Sequence, residues 1–148
     1  MIRLDLKREP YWLDLANGVR VLVRPPTMAM ILEARRETAR AVQAGLVEPD
    51  DGPGRAQVFT QALGREAILE WDGVGDADDR LAAVTPAGIE ALLELPVMGL
   101  AFDARYTAPA LRVEAEKNAS VPSPNGTSAE GPATAPPVAS AVPIAPMN

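Results

Sequence analysis

The aspartates at Asp72, Asp76, Asp78 and Asp79 crowd into one short stretch of the chain. Hard cations such as calcium bind through several carboxylate oxygens, so this cluster is the first candidate for chemistry. Its spacing departs from the EF-hand loop: the central glycine is missing, and no glutamate closes the loop. A solvated loop whose aspartates stabilise turns and cap backbone amides accounts for the same residues. Gly73 and Gly75 add a G-x-G fragment. A phosphate cradle needs a strand before its glycines and a helix after them. Here a helix is expected before them, and the neighbouring aspartates repel phosphate. Two carboxylate pairs, Glu66 with Glu70 and Glu90 with Glu94, fall one helical turn apart. Such pairs can do acid/base work, as in glycosidases, but exposed helix faces produce the same spacing. Arg35, Arg36 and Arg40 interleave with Glu33 and Glu37, so local ion pairs are expected rather than a basic stripe.

The chain contains no histidine and no cysteine. The commonest general base and transition-metal ligand are therefore missing. So are disulfides, thiolate zinc sites and thiol nucleophiles. The formal net charge of -6 repels phosphate backbones. The expectation is a non-enzymatic binding protein with no catalytic residue, no metal, no cofactor and no nucleic-acid partner. No apolar run approaches the ~18 residues of a membrane-spanning helix, and the N-terminus lacks the apolar core of a signal peptide. A cytosolic location is expected, with no membrane partner.

The elements that must position any site can be read from periodicity. Ile2, Leu4 and Leu6 alternate with Arg3, Asp5 and Lys7, a half-buried strand pattern. A second strand is expected over 11–15 and a third over 19–24, joined at Asn17-Gly18, a strong hairpin signal. A two-residue turn there would leave both faces mixed. A three-residue loop, Ala16-Asn17-Gly18, pairs Leu15 with Val19, Leu13 with Val21 and Tyr11 with Val23, and makes one face apolar. Register follows the buried face, so the longer loop is expected, with Gly18 left-handed in a G1-type bulge.

From Thr27 the period changes to that of a helix carrying Met28, Ile31, Leu32, Val42 and Leu46, with Gly45 placed to end it. After a loop at Glu48-Pro49-Asp50-Asp51-Gly52-Pro53-Gly54, a second helix is expected over 55–71, with Phe59, Leu63, Ile68 and Trp71 on its apolar side. Thr85 and Pro86 open a third helix as N-cap and first helical residue. Pro96 breaks or kinks it. A fourth carries Val97, Leu100, Phe102 and Tyr106, with Pro109 placed to kink it. After Lys117, Pro, Ala, Ser and Thr dominate, a composition too poor in large apolar residues to offset ordering entropy. The expected fold is α+β and predominantly α. An antiparallel β-hairpin or three-stranded sheet is followed by about four helices, giving a globular domain over 1–117 and a disordered tail over 118–148. Candidate partner-binding residues are the aromatics Trp12, Trp71 and Phe102 and the adaptable Met28 and Met98; core packing is the commoner use of each type.

Certain strings carry a family resemblance. Glu70-Trp71-Asp72-Gly73-Val74-Gly75-Asp76-Ala77-Asp78 is followed by Val84-Thr85-Pro86 and Ile89-Glu90-Ala91-Leu92-Leu93. Tyr106, Ala108-Pro109-Ala110-Leu111, Glu116-Lys117-Asn118 and Ser123-Pro124-Asn125-Gly126-Thr127-Ser128-Ala129 come next. In order and spacing these resemble the small tail assembly chaperone-type proteins of long-tailed, siphovirus-like phages and prophages of proteobacteria. The resemblance covers roughly 1–129. One departure is Leu95-Pro96-Val97, which lacks the bulky aromatic expected just before the proline. The resemblance implies a chaperone that binds the tape measure protein, keeps it soluble and helps recruit tail tube protein in the host cytoplasm. It is not retained in the finished virion. A small structural virion protein, such as a head-tail connector, tail or capsid decoration component, is the competing expectation. A carboxylate-based hydrolase is a third. A homo-oligomer paired through hairpin edges is also compatible, although charges on the first strand argue for a protected edge.

Overall fold

The chain turns from strands to helices at Pro25-Pro26, because proline cannot donate to a ladder and its ring fixes φ. A computed structural model describes Met1 and residues 8–119. Its elements are β1 (Tyr11–Asp14), β2 (Arg20–Val23), α1 (Met28–Gln43), α2 (Gly52–Ala67), β3 (Ile68–Asp72), α3 (Pro86–Glu94) and α4 (Pro96–Phe102). A π-helical turn (Asp103–Thr107) and α5 (Ala108–Ala119) come last. The fold is α+β and mostly helical, as expected. The described residues divide into two units, one ending at Leu111 and the other beginning at Arg112. The strand expected over 2–6 and nearly all of the tail expected over 118–148 lie outside the described residues.

The hairpin has the register that buries one face: Tyr11 pairs with Val23, Leu13 with Val21 and Asp14 with Arg20. Gly18 is left-handed at φ +78°, and Asn17 joins it at φ +54°. The Val19 N–H donates to the Ala16 carbonyl at 2.9 Å. Positive φ at both central residues is the pattern of a type I′ turn. The Leu15 N–H also donates to the Val19 carbonyl, at 2.9 Å. Leu15 and Ala16 together therefore oppose Val19. The bulge lies on the incoming strand rather than at Gly18, which corrects the expected G1 type.

Among the described residues the sheet has three strands in the order β1-β2-β3, all antiparallel. Its third strand among the described residues is Ile68–Asp72, where a helix was expected to continue to Trp71. Leu63, Ala67, Ile68 and Trp71 fit a helical period, and no glycine or proline interrupts the run from Arg65 to Trp71. Short apolar runs are ambiguous in this way. Tertiary pairing decides the matter: Val21 faces Trp71 and Val23 faces Ile68. The register shifts between Leu22 and Val23, so Leu69 is an extra residue. Strict alternation would put Ile68 and Trp71 on opposite faces. The bulge lets both turn inward, and both are buried.

The helices begin at residues that accept their first amides. Thr27 caps α1 by accepting from the Met30 N–H, and Thr85 caps α3 by accepting from the Gly88 N–H. α2 starts at Gly52, earlier than expected, because Asp51 accepts from the Gly54 N–H at 2.9 Å and Pro53 sits in its first turn. Leu95 takes extended backbone before Pro96, so the proline breaks the helix and opens α4. The π-helical turn precedes Pro109, whose missing N–H would leave a carbonyl one turn earlier without its donor.

Val21, Val23, Ile68 and Trp71 of the sheet pack with Met30 and Ala34 of α1, Leu63 and Ala67 of α2, and Leu92 and Leu93 of α3. Met98, Phe102 and Tyr106 close the far side. Phe102 and Tyr106 stack with centroids 4.9 Å apart, and the Tyr106 hydroxyl donates to the Arg24 carbonyl at 2.6 Å.

Two substitutions test this packing. A Cβ at Gly99 would lie 2.4 Å from the Leu93 carbonyl oxygen, which is backbone and cannot step aside. Gly99→Ala is expected to lower stability by about 1–3 kcal/mol in urea unfolding, although alanine is the better helix former. A higher midpoint would contradict the close approach of α3 and α4. The buried Thr107 hydroxyl has no hydrogen-bond partner among the described residues. Thr107→Val keeps the shape and removes the unpaired group, so the same measurement should show a gain of about 1 kcal/mol.

Candidate partner-binding surface

The aspartate loop is organised by its own backbone. The Asp76 carboxylate accepts from the N–H groups of Asp78 at 2.8 Å and Arg80 at 3.0 Å. The Ala82 N–H donates to the Val74 carbonyl, and Gly75 bridges Leu81. The Trp71 indole N–H reaches the Ala82 carbonyl at 2.7 Å, pinning this small hairpin to β3. Asp76 thus holds a turn. Among the described residues no group of three or more carboxylates is placed to hold a metal ion.

Of the two carboxylate pairs, Glu90 and Glu94 share helix α3, as expected. Glu66 lies in α2 and Glu70 in β3, so they do not share a helix face, contrary to expectation. Glu90 takes Arg65 as its partner at 2.7 Å. Arg65 also contacts Glu37, Glu37 contacts Arg40, and Arg40 and Arg36 contact Glu33. The expected local ion pairs on α1 therefore extend into a network joining α1, α2 and α3. Hydrogen bonds from Arg36 and Arg40 hold the Glu33 carboxyl below the ordinary carboxylate range. Arg105 of the π-helical turn donates to the carbonyls of Asp14 and Leu15, tying it to the hairpin.

Of the candidate binding residues, the structure leaves two on the surface. Trp12 is 42% exposed and Met28 is 47% exposed. Trp71, Met98 and Phe102 are core residues and offer no surface to a partner. Trp12 lies on the outer face of the sheet, with the Arg20 guanidinium 4.5 Å from its ring centroid. Asp72 holds Arg20 from the far side at 3.2 Å. This row of three side chains crosses all three strands.

Two further surfaces were missed. Leu95, Val97 and Leu100 are all more than half exposed around the α3–α4 corner. The proline at this corner was visible, but nothing in the periodicity separates its outward apolar residues from its inward ones. The other surface is an open groove of about 780 Å³ between the C-terminal half of α1 and the N-terminal half of α2. Val42, Phe59 and Leu111 give it apolar walls, Ala39 and Ala56 keep it wide, and Arg35 and Arg55 are the charged residues among its described lining. Val42 and Phe59 read as core positions in the sequence. The small residues at Ala39 and Ala56 prevent the two apolar stripes from closing over one another. Their pairing across the two helices is the signal that could have exposed the groove.

No protein-family model, no curated protein and no solved structure matches this chain. Among the described residues no helix is long and apolar enough to cross a membrane.

The titratable groups set a pH profile. Glu33, with its depressed carboxyl, contributes stability above the ordinary carboxylate range and loses it as pH falls through the folded value. Burial, followed by the nearby Tyr11, pushes the Tyr106 phenol well above its ordinary 10.0. Its contribution is complete below that value and is lost as pH rises beyond it. With no histidine or cysteine to titrate between, the melting temperature should be flat from about pH 6 to about pH 9 and fall on both sides. A step of several degrees inside that plateau, seen by scanning calorimetry, would contradict this assignment.

Proposed function

We propose that this chain is a non-enzymatic tail assembly chaperone of a long-tailed phage or prophage. It binds the tape measure protein in the host cytoplasm and helps recruit tail tube protein. It leaves before the virion is complete. The observation that carries the reading is the open α1–α2 groove, whose apolar walls fit the side chains of a helical segment. A tape measure protein is a long helix-rich chain with apolar stripes that need cover before the tube forms around it. The residues that carry the family resemblance also support the reading. Trp71 pins the hairpin after β3, Thr85 caps α3 and Tyr106 closes the core, so the resemblance follows the framework of the fold. The acidic charge keeps a chaperone complex soluble.

A second reading, a small structural virion protein, draws on the exposed Leu95, Val97 and Leu100, since a permanent subunit contact would cover such a patch. Co-expression with a tape measure protein, a very long helical chain, tests the first reading. The long chain should shift from inclusion bodies to the soluble fraction and co-purify with this protein. Equal insolubility with and without this protein, and no co-purification, would overturn the chaperone assignment.

A further inference from the structure

The hairpin and the π-helical turn each carry an irregularity, and one side chain joins the two. Leu15 and Ala16 together oppose Val19, so the Val19 N–H goes to the Ala16 carbonyl and the Leu15 carbonyl is left out of the ladder. Leu15 is buried, and a buried carbonyl needs a donor. Arg105 supplies it, and the same nitrogen donates to the Asp14 carbonyl at 2.7 Å. Arg105 lies in the middle of the turn Asp103–Thr107. That turn is π-helical because the Ala108 N–H donates to the Asp103 carbonyl, five residues back, where an α-helix would use the Ala104 carbonyl.

Pro109 weakens the α form at this point, since it has no N–H to offer the Arg105 carbonyl. A missing donor does not select which carbonyl Ala108 takes. Ties to other elements make that choice. Tyr106 stacks on Phe102 and donates to the Arg24 carbonyl, just beyond β2, at 2.6 Å. The Asp103 carboxylate accepts from the Thr60 hydroxyl of α2 at 3.4 Å. Arg105 binds the end of β1. Consecutive residues of a helix point about 100° apart, so Arg105 and Tyr106 grip the turn from two sides. Of these tied residues only Arg105 is exposed. Its contact can open without unpacking the core.

From this we infer that Arg105 is a latch. Closed on the carbonyls of Asp14 and Leu15, it holds the turn in its π form. Open, it lets the turn relax to an α turn, which closes one residue sooner. The relaxation rotates the residues that follow, as far as Leu111, by about 100°, one residue step. Leu111 is part of the apolar wall of the α1–α2 groove. The latch therefore couples the hairpin end of the sheet to the shape of the groove: displacing the end of β1 takes Leu111 off the groove wall. The inference concerns a conformational device in the fold and is independent of the chaperone reading.

Nuclear magnetic resonance on the isotope-labelled full chain reads the latch directly. A coupling through the hydrogen bond should join the Ala108 amide nitrogen to the Asp103 carbonyl carbon. In Arg105→Ala that coupling should be replaced by one to the Ala104 carbonyl. Destabilisation alone would not move it, because the molecules still folded would keep Asp103 as the acceptor. Pro109→Ala, with Arg105 in place, should retain the coupling to Asp103. A second readout follows the groove. The chain has no cysteine, so Leu111→Cys introduces a single thiol. Its reaction with a soluble disulfide reagent should be severalfold faster when Arg105→Ala is added.

An Asp103 coupling that survives Arg105→Ala would overturn the inference. So would a switch to the Ala104 carbonyl in Pro109→Ala, since the proline rather than Arg105 would then select the turn. That variant leaves the latch in place and keeps the test decisive if Arg105→Ala does not fold. Equal thiol reactivity with and without Arg105 would break the link between the latch and the groove.

Discussion

The pairing of Val21 with Trp71 is the contact on which the rest of the structure depends. It joins the N-terminal hairpin to a strand reached only after two long helices, so a large loop must close before the pair forms. Val21 is fully buried, flanked by β1 on one side and β3 on the other. Trp71 then transmits the placement onward. Its indole holds the Ala82 carbonyl, which fixes the small hairpin and so the start of α3 at Thr85. α3 leads through Leu95 and Pro96 into α4, and Tyr106 returns to the Arg24 carbonyl, next to Val23. The core is thus a circuit that begins and ends on β2. Packing α1 against α2 is part of this circuit, and the groove is what that packing leaves open at one end.

How far the sequence reveals this structure depends on the range of the interaction. Signals carried by neighbouring residues were legible. Alternation set the hairpin register down to its paired residues, Thr85 and Pro86 marked the start of α3, and Pro96 marked its end. The third strand was not legible, because Ile68 to Trp71 suits a helix locally and only pairing with β2 makes it a strand. The same cause explains the carboxylate pair that dissolved: Glu66 and Glu70 shared a face only while one helix was expected to contain both. The turn at Asn17-Gly18 lay between these cases. Its positive φ was foreseeable from residue type, but the place of its bulge depends on which carbonyl Leu15 finds.

The candidate surface was less legible than the fold. Aromatic and methionine side chains are good anchors and good core residues for the same reason, namely large apolar area. Sequence alone gives no burial, so Trp71, Met98 and Phe102 were grouped with Trp12 and Met28. The groove shows the converse difficulty. It is defined by what is small, Ala39 and Ala56, and by Arg55, a cation without a carboxylate partner among the described residues. The arginines of this chain look alike in the sequence. In the structure Arg36, Arg40 and Arg65 are committed to the network across α1, α2 and α3, and the contrast with Arg55 gives the groove its character.

A chaperone differs from a virion component in its fate more than in its fold, so the central claim concerns where the chain goes. On the proposed reading the chain is a phage product, and the most direct measurement is quantitative mass spectrometry of that phage's purified mature particles. Tube and tape measure peptides should be abundant, with this chain absent or far below one copy per ring of tube subunits. Recovery at a fixed stoichiometry with the structural proteins would contradict the account and make the chain a part of the virion.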